Sequence, residues 1–455
     1  MTNRLFEMFP EVTAAQWKQQ IQVDLKGADY NQTLIWKTLE GIDVKPFYHP
    51  DDISNPKNLN IPTQPWLIGQ HIYAKTAKSA NKKALEAINR GAESIIFSID
   101  NYNVSITELL ENINPSDVNI ITNFKFLADD YIKNIPYEIL KEIIVVNDVI
   151  HHLSVSGNWY TNLKTDMEAF SGIVQNSECL TIDLEHYQNA GANITQQLAY
   201  GMAQACEYLN DLDSKLEKPI KQQLKIVFKV AVGSNYFFEI AKIRALKLLW
   251  STVASEFNVN INCKVIATPS KRNKSIYDYN NNMLRTTTEC MSAILGGADV
   301  VCNLPYDAIY HKDNEFGSRI ARNQLLILKH ESYFDKVENI VEGNYYINDI
   351  THQLAEKALN LLKEIEQAGG LLEQLKNGTI QKKIKDSANK EQALFNEGAL
   401  VLLGANKQPK KDETVKNNLD IYPFVKYNPV KTIIAPIIEN RLAEHLEKER
   451  LENEK

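Results

Sequence analysis

From Ala92 onward the chain alternates short apolar runs with helical stretches, and this alternation constrains the fold more than any other feature. The runs fall at 94–99, 118–122, 142–147, 179–183, 224–230, 261–266 and 299–303, with a weak one at 336–340. Most are rich in Val and Ile, and each has the length of a buried strand. Eight β runs separated by helices fit an eight-stranded α/β barrel, and an open doubly wound sheet fits the same pattern. At 455 residues the chain has room for one large barrel with extensions, or for two to three average domains.

The helical stretches carry the expected stripes. Leu354, Ala358, Leu361, Leu362 and Ile365 recur on one helical face, and Gly369-Gly370 ends that helix. The stretch from Asn235 to Trp250 is apolar on most faces, as for a helix packed on both sides. Residues 1–65 read as an arm, with an amphipathic helix at 13–25 and then extended, Pro-punctuated chain. Residues 407–418 read as a charged linker, and 437–453 as a terminal helix with Ile438, Leu442 and Leu446 in one stripe.

Charge and composition exclude several functions. Fifty Lys and Arg against 57 Asp and Glu give a net charge of −7 with no dense basic patch, which argues against a nucleic-acid partner. No apolar run reaches the roughly 18–20 residues that span a bilayer. The N-terminus lacks a basic segment followed by an apolar core, so a cytoplasmic location is expected. Five scattered cysteines with no C-x-x-C pair read as ordinary buried thiols.

One segment of the arm is more specific. In Trp36-Lys-Thr-Leu-Glu-Gly-Ile-Asp-Val-Lys-Pro-Phe-Tyr48, Glu40-Gly41 is a turn signal, residues 42–45 alternate as a half-buried strand would, and Pro46 fixes the exit. Further strings follow in order: Pro65-Trp66, Gln188-Asn-Ala-Gly-Ala192, Asn235-Tyr-Phe-Phe-Glu-Ile-Ala-Lys-Ile-Arg-Ala245, Leu248-Leu-Trp250, Ser318-Arg-Ile-Ala-Arg-Asn323 and Thr351-His-Gln-Leu-Ala-Glu-Lys-Ala358. From about Trp36 to Asn406 the chain resembles the adenosylcobalamin-dependent acyl-CoA mutases, methylmalonyl-CoA mutases among them. The resemblance decides for the barrel. It implies an α/β fold, an eight-stranded (β/α)8 TIM-type barrel at 66–406, an N-terminal subunit-contact arm at 1–65, and a linker and C-terminal helix at 407–455.

The resemblance also implies a radical chemistry whose residues can be checked one by one. The family reads R-Q-Y where this chain has Gly69-Gln70-His71, so a substrate-binding Arg and a Tyr that helps break the cobalt–carbon bond are replaced by Gly69 and His71. The family's Q-N-D is Val146-Asn147-Asp148, so a thioester-contacting Gln is Val146. No Arg lies between Asp148 and His186 to meet a substrate carboxylate. Glu185 stands in place of a Tyr, while His186, which contacts the thioester oxygen in catalytic relatives, is retained. Thr268-Pro-Ser-Lys-Arg272 replaces Q-T-S-G-W. Desolvating an acyl carboxylate without a cation costs several kcal/mol. Gly69, His71, Val146, Glu185 and His186 are therefore read as vestigial positions, with no catalytic, cofactor-binding or metal-binding residue expected.

These losses imply the small, non-catalytic subunit of a heterodimeric mutase that interconverts methylmalonyl-CoA and succinyl-CoA in propionate metabolism, with adenosylcobalamin held by the partner large subunit. The family's cobalamin domain is marked by D-x-H-x-x-G. His445, in Leu442-Ala-Glu-His-Leu-Glu447, does not match it, and that domain is expected to be absent. The alternatives are the substrate-binding barrel of a split mutase and a non-enzymatic barrel that binds acyl-CoA. His151-His152 is a weak metal candidate, and Lys271-Arg-Asn-Lys274 a weak site for a CoA phosphate. Arg319 and Arg322 share a helix face and suit ion pairs, internal or with a partner. The bore is expected to be plugged, with Phe97, Phe124 and Phe228 as the candidates.

Overall fold

The computed structural model describes residues 8–52, 65–425 and 430–454. In the arm, the Ala14–Asp24 helix opens on a capping box. Thr13 Oγ1 accepts from the Gln16 amide, and the Gln16 side chain accepts from the Thr13 amide. No residue of that helix is buried. Strands β1 (Trp36–Lys37) and β2 (Asp43–Val44) then form an antiparallel pair around Gly41, whose φ of +70° suits a residue without Cβ. Ile42 and Val44 sink from this pair into the main core, and Trp36 meets Phe238 with ring centroids 5.7 Å apart.

Eight parallel strands follow: β3 (Leu67–Tyr73), β4 (Ser94–Ile99), β5 (Asn119–Phe124), β6 (Ile144–Val146), β7 (Cys179–Asp183), β8 (Lys225–Val232), β9 (Lys264–Pro269) and β10 (Val300–Cys302). The hydrogen-bonded order is β6-β5-β4-β3-β10-β9-β8-β7, and β6 and β7 lie side by side to close the ring. Helices fill the crossovers, and the two longest helices of the chain's described residues, Tyr236–Phe257 and, after the last strand, Tyr345–Gln367, pack on each other. This is a (β/α)8 TIM-type barrel.

Two sequence expectations are corrected. The first strand of the ring is β3, and the weak run at 336–340 is a set of turns with Asn339 at φ +47° and Val337 62% exposed. β3 hides in the sequence because Gly69, Gln70 and His71 interrupt its apolar character, yet it is bonded on both edges, to β10 and β4. The terminal helix covers only Glu444–Glu452. Before it, residues 433–442 run as an extended strap. Its amides at Ile433 and Ile434 donate to Gly157, Ile437 to Ser154, Asn440 to Asn189, and Leu442 to Arg272. Backbone donors committed to loops after β6, β7 and β9 are unavailable to a helix. The expected stripe accordingly dissolves: Leu442 is buried, whereas Ile438 and Leu446 are 44% and 40% exposed.

The bore is closed, but by different side chains than expected. Ile96, Ile121, Ile144, Val146, Val227, Ile266, Val300 and Cys302 form one cluster, each at most 3% exposed. Successive strand residues face opposite ways, so Phe97, Phe124 and Phe228 point outward. Phe97 and Phe124 pack among Ala80, Ala84 and Ile132 of the helical layer, and Phe228 meets Trp250 at 5.4 Å. Aliphatic side chains, not aromatic ones, fill the barrel. All five cysteines are free thiols and four are buried. No helix among the described residues is long and apolar enough to cross a membrane.

Candidate functional site

Chemistry on this architecture is built at the C-terminal ends of the barrel strands. There, the inward positions following the aliphatic layer turn polar: His71 on β3, Ser98 on β4, Asn123 on β5, Asp183 on β7 and Lys229 on β8. Registers match across the ring, with Ser98 beside Asn123 and Asp183 beside Lys229.

The centre of the mouth is an ion network. Lys229 Nζ donates to Asp183 Oδ2 at 2.5 Å and to Glu185 Oε2 at 3.1 Å. Lys229 and Asp183 are both nearly inaccessible, and Glu185 is partly open. Burial alone would raise the Asp183 pKa, but Lys229 and then His151 outweigh it and hold the carboxyl well below its ordinary value. Burial would likewise lower the Lys229 pKa, and Asp183 and Glu185 reverse that. One buried cation is thus shared between two carboxylates. Lys125, at the exposed rim, is pushed down by the surrounding protein and by Lys229.

Two histidines at the mouth, His71 and His186, have their pKa values pushed down. His71 Nε2 lies 2.8 Å from Ser98 Oγ. Crowding by the barrel wall, then the charges of Lys229 and Lys125, push its pKa down to about 4, although water reaches the ring. His186, in the Glu185–Asn189 helix, is 1% exposed, and its Nδ1 is 3.0 Å from His151 Nδ1. Burial and His151 hold it well below the usual imidazole range, and its Nε2 is buried with no hydrogen-bond partner.

Asp148 fixes this layer from behind. It accepts from Tyr208 Oη at 2.5 Å, Gln204 Nε2 at 2.6 Å, and the amides of Asp183 and His151 at 2.8 Å. Burial raises its pKa despite those donors. Asn147 ties down the neighbouring loop through the Phe124 and Phe126 carbonyls and the Ala128 amide.

The sequence candidates divide accordingly. Gly69, Val146, His71, Glu185 and His186 do converge on the bore and its mouth. Gly69 faces inward, and a Cβ built on it would lie 3.0 Å from Val300 Cγ1, 3.1 Å from Cys302 Cβ and 3.2 Å from the Val301 carbonyl. His151 and His152 diverge, the latter stacking on Tyr160 at 3.6 Å. No three His, Cys, Asp or Glu among the described residues are grouped to hold a metal. Arg272 is taken by Glu391 at 2.6 Å, and Lys274 by Glu289 at 2.8 Å, so the Lys271–Lys274 segment does not present a joint phosphate site. His445 is exposed beside Glu449. The sequence reading missed Lys229 and Asp148. A single lysine within Ile226-Val-Phe-Lys-Val-Ala-Val232 was the available signal, because a charge at an inward strand position demands a buried partner.

The sequence profile of methylmalonyl-CoA mutase matches residues 125–441. The chain is 32% identical to the methylmalonyl-CoA mutase small subunit of Porphyromonas gingivalis, over all of this chain and 79% of that one. It is 28% identical to the methylmalonyl-CoA mutase of Cereibacter sphaeroides over 89% of this chain and 65% of the relative. Identity to the methylmalonyl-CoA mutase large subunit of Porphyromonas gingivalis is 25%, over 83% of this chain and 61% of the relative. The chain thus spans less than two thirds of those last two relatives. A solved dihydropteroate synthase from Stenotrophomonas maltophilia aligns at 10% identity over 60% of this chain and 94% of its own, with a TM-score of 0.31.

Proposed function

We infer the function of this chain from one premise: it belongs to the methylmalonyl-CoA mutase family. We propose that it is the small, non-catalytic subunit of a heterodimeric mutase whose large subunit binds adenosylcobalamin and interconverts methylmalonyl-CoA and succinyl-CoA. The observation that carries this reading is the closed wall at Gly69. Where catalytic relatives carry an arginine, even one added carbon meets Val300, Cys302 and a backbone carbonyl at 3.0–3.2 Å. A guanidinium has no room there.

The neighbouring positions support the same reading. Val146 belongs to the aliphatic plug, at a position that offers a thioester no donor. Glu185 is spent on Lys229, and His186 on His151. His71 offers an imidazole bound to Ser98 where the family has a phenol. We read all five positions, Gly69, His71, Val146, Glu185 and His186, as vestigial. His186 does not fit the lower ligand of cobalamin either, since its Nε2 is buried and its Nδ1 faces His151. No step of the reaction is routed through this chain.

We assign residues 1–65 as the contact arm, 66–406 as the barrel, and 407–455 as the strap and tail. The Ala14–Asp24 helix has no buried residue, and Trp17, whose ring meets Phe47 at 5.6 Å, is still 51% exposed, which leaves a face of the helix available to a partner. Trp36 and Phe237, 51% and 49% exposed, extend the aromatic surface suited to an interface. That Porphyromonas gingivalis has both a small-subunit and a large-subunit relative supports the heterodimer.

The test is to assay isomerisation of methylmalonyl-CoA by the chain alone, with a large mutase subunit, and with an isolated cobalamin-domain protein. Turnover is expected only with the large subunit, together with co-elution of the two chains. Turnover by this chain with the isolated cobalamin domain would overturn the reading. Micromolar acyl-CoA binding by the chain alone would point instead to a non-catalytic acyl-CoA barrel.

A further inference from the structure

Between the Ala77–Asn89 and Glu315–Leu326 helices, outside the ring beside β3, lies a cavity of about 240 Å³. Helices at this level of a barrel ordinarily pack through apolar side chains. Here the floor is polar. Leu67, Gly69 and His71 alternate toward the bore, so Gln70 points outward, and it is 8% exposed. Against it lies Arg322, 6% exposed, whose Nη1 donates to Gln70 Oε1 at 3.2 Å.

Arg322 has no carboxylate partner among the described residues, and its Nε is buried without any hydrogen-bond partner. The acids that line the cavity are already matched at its exposed rim. Asp313 is 2.6 Å from Lys83, Glu86 is 2.9 Å from Arg90, and Glu315 is 3.5 Å from the same arginine. The lining carries as many acids as bases, but Arg90 takes two of the acids, so Arg322 at the buried floor makes no direct ion pair. A desolvated guanidinium without a counter-charge is costly, and its forked donors match the geometry of a carboxylate or phosphate.

We propose that this cavity is an oxyanion site, in which Arg322 and Gln70 bind a phosphate or carboxylate group. Its volume falls below the roughly 300–1,000 Å³ of pockets for drug-sized ligands, so the occupant is a single phosphate, a short carboxylate, or the anionic end of a larger molecule. The site lies in the helical layer, with His71 at its edge, and does not depend on the subunit assignment.

The full chain, in low-chloride buffer of fixed ionic strength, is titrated with inorganic phosphate and, separately, with malonate. Isothermal calorimetry and the Tm are recorded. Saturable one-to-one binding at about 1 mM or tighter is expected, with a Tm rise of several degrees. A response to phosphate alone identifies a phosphate site, and a response to malonate a site that takes carboxylates. Arg322→Gln should abolish both signals, and Arg319→Gln, at the exposed neighbour, should leave them intact. Gln70→Glu places a carboxylate beside Arg322 without requiring that arginine to be removed. It should raise the anion-free Tm and eliminate the anion response. No saturable binding of either anion, or a response that survives Arg322→Gln or Gln70→Glu, overturns the proposal.

Discussion

Replacing Lys229 with Met tests the ion network at the barrel mouth. The substitution keeps length and apolar stem while removing the cation that Asp183 and Glu185 share at 2.5 and 3.1 Å. Glu185 is partly exposed and can turn to water, whereas Asp183 is 3% exposed and cannot. Breaking a buried pair by removing one partner costs about 3–5 kcal/mol, because the remaining charge stays desolvated. With an unfolding entropy of about 2.1 cal/mol/K per residue, 455 residues give roughly 1 kcal/mol per degree, so Tm should fall by about 3–5 °C. The pH dependence has a definite sign. In the wild type the Asp183 pKa is depressed, so its contribution is present above the ordinary carboxylate value of 3.8 and is lost as pH falls through the folded pKa. In the variant, burial without a cation raises that pKa, and protonation relieves the stress as pH falls. The gap between the two proteins should be widest near neutrality and close on acidification. Adding Asp183→Asn to Lys229→Met should recover at least half the loss at pH 7. Urea midpoints from pH 7 to pH 4 measure all of this. A neutral-pH cost under about 1 kcal/mol, or a gap that does not narrow with acid, would refute the reasoning.

Gly69→Ala should cost about 1–3 kcal/mol by overpacking against Val300 and Cys302, with Val300→Ala in the same chain returning part of it in urea titrations. His152, whose pKa burial lowers to about 4, contributes stability that is present above pH 6.5 and lost as pH falls toward 4. His152→Phe, which preserves stacking on Tyr160, should flatten the midpoint-against-pH curve in that window. Trp17→Ala should leave the isolated chain within about 1 kcal/mol of wild type and weaken binding to the large subunit at least tenfold, about 1.4 kcal/mol, by calorimetry. An unchanged affinity would remove the arm helix from the interface.

Seven of the eight ring strands were legible in the sequence because a strand buried on both faces writes itself as a Val- and Ile-rich run. The eighth was not, because β3 carries a glycine where the wall is too tight for a side chain and a histidine where the mouth turns polar. Local composition reports the average burial of a segment, and β3 is a strand whose burial is enforced by its neighbours. The terminal helix failed for a related reason. Residues 437–443 have a helical apolar spacing, but their backbone donors are claimed by distant segments, contacts at 170 to 283 residues' separation that no local period encodes. Candidate site positions were legible only through resemblance. That resemblance located Gly69, Val146 and His186, but what each touches depended on strand parity, which also turned the three phenylalanines outward.

The closure of this barrel rests on three features, the first two of which share Val300 and Cys302. The aliphatic cluster fills the bore, the wall at Gly69 denies space to a side chain, and the Asp183–Lys229–Glu185 network ties up the one cation at the centre of the mouth. Each layer is stabilising in its present partners and costly to change alone: Val146→Gln would bury an amide among hydrocarbons, Gly69→Arg would clash, and freeing Lys229 for a substrate would strand Asp183. Opening a channel through this bore by single substitutions would therefore cross several destabilised intermediates. A barrel in that condition retains its sequence signature where it holds the fold, in the arm pair that seats Ile42 and Val44 and in the Tyr236–Phe257 helix that seats Phe238 and Trp250. The same family signature can then accompany a barrel whose bore is filled by aliphatic side chains.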